Sequence, residues 1–177
     1  MIQKKSSIKS KLKHIKLLLL DVDGVMTDGG IYYSNSGDEM KRFNIQDGYG
    51  LRKFRLAGFQ TGIITGRVSK IVERRAEDLG IAEVYQNLDN KAEAYEHIKQ
   101  KLKLQDHEIA YIGDDEFDLC VLTQVGFSAT PANALPRVKK YVHYVCKHNG
   151  GNGAVRELVD LILESQNKLP ALPKRKK

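Results

Sequence analysis

The sequence lacks long apolar runs, a secretory signal and a cysteine framework. Its longest apolar run is Leu17–Leu20, which is far too short to span a bilayer. Residues 1–16 contain lysines but neither an apolar signal core nor a small-residue cleavage site, so we expect a cytoplasmic protein. The two cysteines, Cys120 and Cys146, lack the spacing of metal ligands and are expected to be reduced and buried.

Acidic residues are absent from both ends of the chain, and this absence accounts for the net charge of +7. Residues 1–16 hold six lysines, and residues 168–177 hold five basic residues. The chain between them has 18 basic and 22 acidic residues, a net charge of −4. Basic residues are not interleaved with aromatic ones, which argues against nucleic-acid binding. We expect one domain at 16–166 between flexible basic tails at 1–15 and 167–177.

Short apolar runs alternate with amphipathic stretches along the domain. Strands are predicted at Leu17–Asp21, Gln60–Thr65, Glu83–Tyr85, Ile109–Gly113 and Phe127–Ala129. Helices are predicted at Tyr49–Ala57, Ser69–Leu79, Lys91–Leu102, Glu116–Val125 and residues 154–165. This alternation predicts an α/β fold, a Rossmann-like parallel sheet with helices on both faces. Residues 30–44 break the pattern and predict a β-hairpin inserted after the first strand.

Polar side chains follow the predicted strands, and ligands of an open parallel sheet bind beyond the carboxyl ends of its strands. The residues that this rule singles out are Asp21, Asp23 and Asp28; Thr65, Gly66 and Arg67; Lys91; and Asp114, Asp115 and Asp118. Each group alone is common in turns and helix caps. Their occurrence in order, each after a strand, predicts a functional site.

Carboxylates gathered at one edge repel one another unless a cation lies between them. Oxygen ligands without histidine or cysteine favour Mg²⁺. Beside such an ion, Asp21 is placed to attack phosphorus as a nucleophile, and Asp23 to protonate the leaving oxygen and then activate water. Thr65 and Lys91 would bind the phosphoryl oxygens.

Four segments resemble the motifs of the haloacid dehalogenase superfamily of phosphatases. They are residues 19–25, residues 64–67, Lys91 and residues 113–118. Further segments are similar to the branch of that superfamily that hydrolyses 3-deoxy-D-manno-octulosonate 8-phosphate, an eight-carbon sugar-acid phosphate; these are residues 23–29, the hairpin, residues 43–48 and the glycine-rich 149–157. The resemblance covers about residues 15 to 166.

The resemblance implies a role for each site residue. Asp21 would be the nucleophile and Asp23 the general acid/base. Mg²⁺ would be held by the Asp21 side chain, the Asp23 backbone carbonyl and Asp114, with Asp115 and Asp118 supporting. Substrate contacts would come from Thr65, Gly66, Arg67, Lys91, Arg75 and Asp28. The resemblance also implies no large cap domain, and a homotetramer whose hairpins pair around a central axis and cover neighbouring active sites.

Three other functions remain open from the sequence. A phosphatase for a nine-carbon nonulosonate 9-phosphate would share the same motifs. A phospho-aspartate receiver also uses aspartates, a threonine and a lysine on a parallel sheet. Its acidic pair normally precedes the phosphorylated aspartate, however, whereas Asp114 and Asp115 follow Thr65 and Lys91. A non-catalytic oligomerisation domain is disfavoured, because unpaired carboxylates are costly to keep together without a metal.

Overall fold

The structure, a computed structural model, describes residues 8–170 of the chain. Within this part, no helix combines the length and the apolar character needed to cross a membrane. The outer parts of the two basic tails, residues 1–7 and 171–177, lie outside the described residues, so their predicted flexibility stays a prediction.

A six-stranded parallel sheet forms the centre of the fold, in the order β5-β4-β1-β6-β7-β8. Its strands are β1 (Leu17–Leu20), β4 (Gln60–Ile64), β5 (Glu83–Tyr85), β6 (Ile109–Ile112), β7 (Phe127–Thr130) and β8 (Tyr144–Val145). The five predicted strands are confirmed to within one residue at each end. Strand β8 was missed, because two residues are too few to show a pattern. The chain builds outward from β1 to β5 and then returns to β6 on the other side of β1, so the strand order reverses beside β1.

Helices cover both faces of the sheet, as predicted. They are α1 (residues 8–12), α2 (Ile45–Leu56), α3 (Lys70–Leu79), α4 (Lys91–Leu102), α5 (Leu119–Leu122) and α6 (Ala154–Ser165). Leu18 and Leu20 of β1 face the core layer that contains α2, α3 and α6, whereas Leu17 and Leu19 face the layer that contains α4 and α5. The strand is therefore apolar at every position because both of its faces are buried.

Two helices differ in extent from their predictions. Helix α2 begins at Ile45 rather than Tyr49, since the Asn44 side chain accepts hydrogen bonds from the backbone N–H groups of Gln46 and Asp47 and so caps the helix. The predicted helix Glu116–Val125 is instead a 3₁₀ turn at Glu116–Asp118 followed by the single α-helical turn of α5. Of the two free cysteines, Cys146 is buried as expected, but Cys120 is only half-buried.

The inserted hairpin is confirmed. Strands β2 (Tyr32–Tyr33) and β3 (Glu39–Met40) pair antiparallel, and residues 8–170 contain no larger cap. Ile31, Tyr33 and Met40 are each more than half exposed. Phe43, however, is not exposed with them: it packs partly against the core and forms a bridge with Thr27.

The chain before β1 packs against the domain, contrary to the expectation of a flexible tail up to residue 15. Leu12 and Ile15 are 0% and 1% exposed and belong to the core that contains α6. The Gln166 side-chain amide donates to the carbonyl oxygens of Leu12 and Ile15, at 2.9 and 2.8 Å. The lysines gave this segment the composition of a tail, whereas its two apolar residues decide its position.

Replacing Leu12 with alanine should therefore destabilise the protein by about 2–5 kcal/mol, the usual loss for a fully buried leucine. Urea unfolding followed by circular dichroism measures the change. Lys9, which is exposed in the same segment, is the control, and Lys9→Ala should change stability by less than about 0.5 kcal/mol. Equal stability of the two variants would show that the segment behaves as a tail.

Candidate active site

The carboxyl ends of β1, β4 and β6 open into a cavity of about 330 Å³. Nine of the eleven predicted site residues line it, each from the loop after a strand or the start of a helix: Asp21, Asp23, Thr65, Gly66, Arg67, Lys91, Asp114, Asp115 and Asp118. Gly24, Gly29 and Phe117 complete the lining. The topology therefore brings together residues that are up to 97 positions apart, from Asp21 to Asp118.

Lys91 is the buried cation at the centre of this site. Its side chain is 2% exposed, and its Nζ lies 2.7 Å from both Asp21 Oδ1 and Asp118 Oδ1. Burial alone would lower the pKa of Lys91, but the charges of the two aspartates outweigh it and raise the pKa above its ordinary value. Lys91 is therefore a fixed positive charge beside the predicted nucleophile.

Asp118 uses both carboxylate oxygens inside the protein. Oδ2 accepts hydrogen bonds from the backbone N–H groups of Asp114 and Asp115, at 2.9 and 3.1 Å. Oδ1 accepts from Lys91 and from the Tyr111 hydroxyl. A Cβ at Gly113 would lie 2.4 Å from Cγ of Asp118, so this close approach requires glycine. Asp118 thus holds the acidic loop in place.

Asp21 and Asp114 form the carboxylate pair that fits a divalent cation. With Asp118, they offer oxygen atoms that all lie within 4.8 Å of one another. Burial, and then the charge of Asp118, raise the pKa of Asp21 to about 8 and that of Asp114 to about 7. A cation between them would favour the ionised form of both groups. The set of hard oxygen donors fits Mg²⁺, and Asp118 is already saturated, so Asp21 and Asp114 are the side chains that would hold it.

Asp23 is paired with a cation, Lys41, that the sequence analysis did not identify. Lys41, directly after β3, places its Nζ 2.5 Å from Asp23 Oδ1, and the Arg67 Nε lies 3.8 Å from Asp23 Oδ2. The sequence shows Lys41 only as one lysine of a polar hairpin. The one available signal was spacing: Lys41 lies two residues from both Glu39 and Phe43, and alternate residues of a strand share a face.

Arg67 and Phe117 shape the mouth of the cavity. The Arg67 guanidinium is paired with Glu39 at 3.0 Å, and Glu39 also accepts a hydrogen bond from the Ser69 hydroxyl at 3.0 Å. The Phe117 ring lies over Lys91 Nζ, 5.3 Å from the ring centroid, and against Gly66, where a Cβ would approach it to 3.0 Å. Phe117 was not predicted as a site residue.

Two predicted substrate contacts do not reach the cavity of this chain. Asp28 accepts hydrogen bonds from the Gly30 backbone and the Tyr32 hydroxyl, so it anchors the hairpin. Arg75 lies over the Phe43 ring and beside the carbonyl oxygen of Asn44, because α3 points it toward α2. Their roles as substrate ligands are therefore not supported by the geometry of a single chain.

The raised pKa values predict how stability depends on pH. In the unfolded chain, Asp21 and Asp114 lose their protons near the ordinary aspartate pKa of 3.8. In the folded protein they keep these protons to a higher pH. The folded state then binds more protons, so metal-free stability should fall as the pH rises from about 5 to about 8. Thermal unfolding in chelator measures this fall. Mg²⁺ should raise the unfolding midpoint more at pH 8 than at pH 5. At pH 5 the ion must displace protons from the two carboxylates, whereas fewer of these protons remain at pH 8.

The double variant Asp21→Asn and Asp114→Asn is the control, since it removes both titrating groups. Its unfolding midpoint should vary less with pH over the same range and should not respond to Mg²⁺. A metal-free native protein whose midpoint rises from pH 5 to pH 8 would contradict the assignment.

The chain is similar to known proteins over most of its length. The family model for haloacid dehalogenase-like hydrolases matches residues 63–158. The chain is 48% identical over 156 residues to 3-deoxy-D-manno-octulosonate 8-phosphate phosphatase of Yersinia pestis, a match that covers 88% of this chain and 83% of the relative.

Two solved structures of similar enzymes contain metal ions. The phosphatase of that name from Moraxella catarrhalis, in complex with magnesium, phosphate and KDO, has 42% identity and a TM-score of 0.90, with 92% of this chain and 93% of that chain covered. The cobalt-bound enzyme of Haemophilus influenzae has 38% identity and a TM-score of 0.86, with 89% and 92% covered. On this family match and these identities, the chain belongs to the haloacid dehalogenase-like hydrolase family.

Proposed function

We propose that this protein is a Mg²⁺-dependent phosphatase that hydrolyses a sugar-acid phosphate through a phosphorylated Asp21. The observation that carries the proposal is the placement of Asp21 beside the Lys91 ammonium, at 2.7 Å, with a carboxylate oxygen of Asp114 within 4.8 Å. A nucleophilic carboxylate needs positive charge beside it to approach a phosphate dianion, and this site supplies a fixed cation and a place for a second one.

The reaction has two steps on the chain's own residues. In the first, a carboxylate oxygen of Asp21 attacks phosphorus, the bond from phosphorus to the ester oxygen breaks, and Asp23 gives its proton to that oxygen. In the second, Asp23 takes a proton from water, which attacks phosphorus and releases phosphate and Asp21. Bound Mg²⁺ would neutralise phosphoryl charge during both steps. Thr65 and Lys91 hold the phosphoryl oxygens.

The proposed substrate is 3-deoxy-D-manno-octulosonate 8-phosphate. The names of the similar proteins support this choice, and so does the chemistry of the cavity mouth. Arg67, which is 42% exposed there, offers a planar fork of donors that suits the carboxylate of a sugar acid. Hydrolysis of this ester would place the protein in lipopolysaccharide precursor synthesis in the cytoplasm. A nine-carbon nonulosonate 9-phosphate remains the alternative substrate.

A panel of sugar-acid phosphates tests the proposal. Phosphate release from the eight-carbon ester should exceed release from the nine-carbon ester and from p-nitrophenyl phosphate, should stop in chelator and should return with Mg²⁺. Asp21→Asn should abolish turnover, whereas Lys99→Met, on α4 away from the cavity, is the control and should keep it. Full activity in excess chelator would contradict the proposed chemistry, and preference for the nine-carbon ester would change the substrate.

We also propose that the hairpins pair between subunits and form a homotetramer. The exposed Tyr33 and Met40 on the two-residue strands, and the exposed Ile31 just before β2, support it, because an unpaired apolar edge is a liability in solution. Within one chain the cavity lining includes Gly29 but no residue of β2 or β3. A wall formed by the hairpin would therefore come from a neighbouring subunit.

Replacing residues 34–38 and the flanking strands by a short turn should yield species smaller than a tetramer, with poor turnover of the sugar-acid phosphate. Light scattering gives the mass, and phosphate release gives the turnover. The exposed polar turn offers a control: Asp38→Ala removes only local hydrogen bonds to Ser34 and Ser36 and should leave the assembly intact. An intact native protein that is monomeric and fully active would refute the proposed assembly.

A further inference from the structure

The hairpin delivers a buried ammonium to the predicted general acid/base. The Lys41 side chain is 2% exposed, and its Nζ lies 2.5 Å from Asp23 Oδ1. Burying an ammonium carries a desolvation cost that only well-placed anions offset. Since Lys41 belongs to a small insertion rather than to the core, its burial against a catalytic carboxylate calls for an explanation beyond folding.

The backbone of the returning hairpin arm fixes where Lys41 points. Phe43 forms an antiparallel bridge with Thr27, so the arm runs alongside the loop that follows β1. The Arg42 Nη1 lies 3.6 Å from Asp28 Oδ2, and its Nη2 donates to the Asn152 side-chain oxygen at 3.2 Å. These contacts tie the two residues that follow Lys41 to the loop after β1 and to Asn152.

Lys41 and Asp23 belong to a closed group of four charged residues. Lys41 Nζ lies 3.5 Å from Glu39 Oε1, and Arg67 Nη2 lies 3.0 Å from the same oxygen. The Arg67 Nε then completes the group at 3.8 Å from Asp23 Oδ2. Two carboxylates and two cations balance, so the group adds no net charge to the acidic edge. It also connects the hairpin to the loops after β1 and β4.

The two oxygens of Asp23 are therefore not equivalent. Oδ1 accepts a hydrogen bond from the Lys41 ammonium, whereas Oδ2 lies 3.8 Å from the Arg67 Nε. Asp23 and Arg67 line the cavity, but Lys41 is not among the residues that line it. Lys41 thus contacts Asp23 without itself lining the cavity.

We propose that Lys41 is a positioning residue for Asp23. By donating to Oδ1, it fixes the rotation of the carboxyl group and leaves Oδ2 as the oxygen that carries the proton to the leaving group and later takes one from water. Oδ1 remains an acceptor for the ammonium whether Oδ2 is protonated or not. This inference rests on the proposed function, in which Asp23 is the general acid/base. It assigns the hairpin a part in the chemistry as well as in assembly.

The dependence of the rate on the leaving group tests the inference, because a misplaced acid affects only substrates that need protonation. In Lys41→Met, kcat for an alkyl sugar phosphate should fall roughly 10- to 100-fold, the scale of a displaced catalytic group. The fall for p-nitrophenyl phosphate, whose leaving oxygen needs little protonation, should be several times smaller. KM for both esters should stay close to that of the native enzyme.

Two further variants separate positioning from a structural effect. In an Asp23→Asn background, Lys41→Met should add little further loss, since the two residues act as a unit. In Lys41→Ala, ethylammonium should restore part of kcat by occupying the space of the missing ammonium. Lys99→Met is the matched control: Lys99 also pairs with two carboxylates, Glu96 and Asp106, but lies away from the cavity, so it should leave both rates unchanged.

Each other result overturns the inference. Equal losses for both leaving groups, or losses that add to those of Asp23→Asn, would assign Lys41 to hairpin structure. A raised KM with unchanged kcat would make it a substrate ligand. If Asp23→Asn itself shows native rates with every ester, the proposed role of Asp23 fails and the inference fails with it. A slow Asp23→Asn beside a fully active Lys41→Met would overturn the inference alone.

Discussion

The concentration of carboxylates at one edge of the sheet is the constraint on which the rest of the structure depends. Asp21, Asp114 and Asp118 approach within 4.8 Å of one another, which is unfavourable without compensating positive charge. Lys91 provides part of it from the start of α4, and the backbone N–H groups that bind Asp118 provide more. Burial, and then the negative charge of Asp118, raise the pKa of Asp21 and Asp114. A divalent cation would offset this cost of ionising the two carboxylates, which suits the site to such an ion and to a phosphate dianion.

The sequence predicted the parts of the molecule that depend on local pattern. Continuous apolar runs located the five longer strands, and the rule that ligands bind at the carboxyl ends of strands placed Asp21, Thr65, Lys91 and Asp114 in one cavity. The contacts of Asp28 and Arg75 could not be predicted in this way. Their side chains point according to how the hairpin and α3 pack, and a motif does not specify that packing.

Burial that arises from tertiary contacts also escaped prediction. The segment before β1 has the composition of a solvated tail, yet Leu12 and Ile15 are held in the core beside Gln166, which lies more than 150 positions away. The burial of the Lys41 side chain is a second example, at the proposed active site. A lysine in a polar hairpin is normally exposed, but this one contacts Asp23 from an arm that pairs with the loop after β1 through Thr27 and Phe43. The burial of the segment before β1 and the burial of Lys41 both depend on contacts between segments that are separated in the sequence.

A phosphoryl group on Asp21 would be the most direct evidence for the proposed chemistry. The Asp23→Asn variant should form this group with a good leaving group faster than water removes it. The measurement is the intact mass of Asp23→Asn after rapid acid quenching with substrate and Mg²⁺, followed by mapping of the modified residue. The expected result is one added phosphoryl group on Asp21, which is absent when Asp21→Asn is introduced as well. Modification of Asp114 or Asp115, or continued turnover in Asp21→Asn, would contradict it.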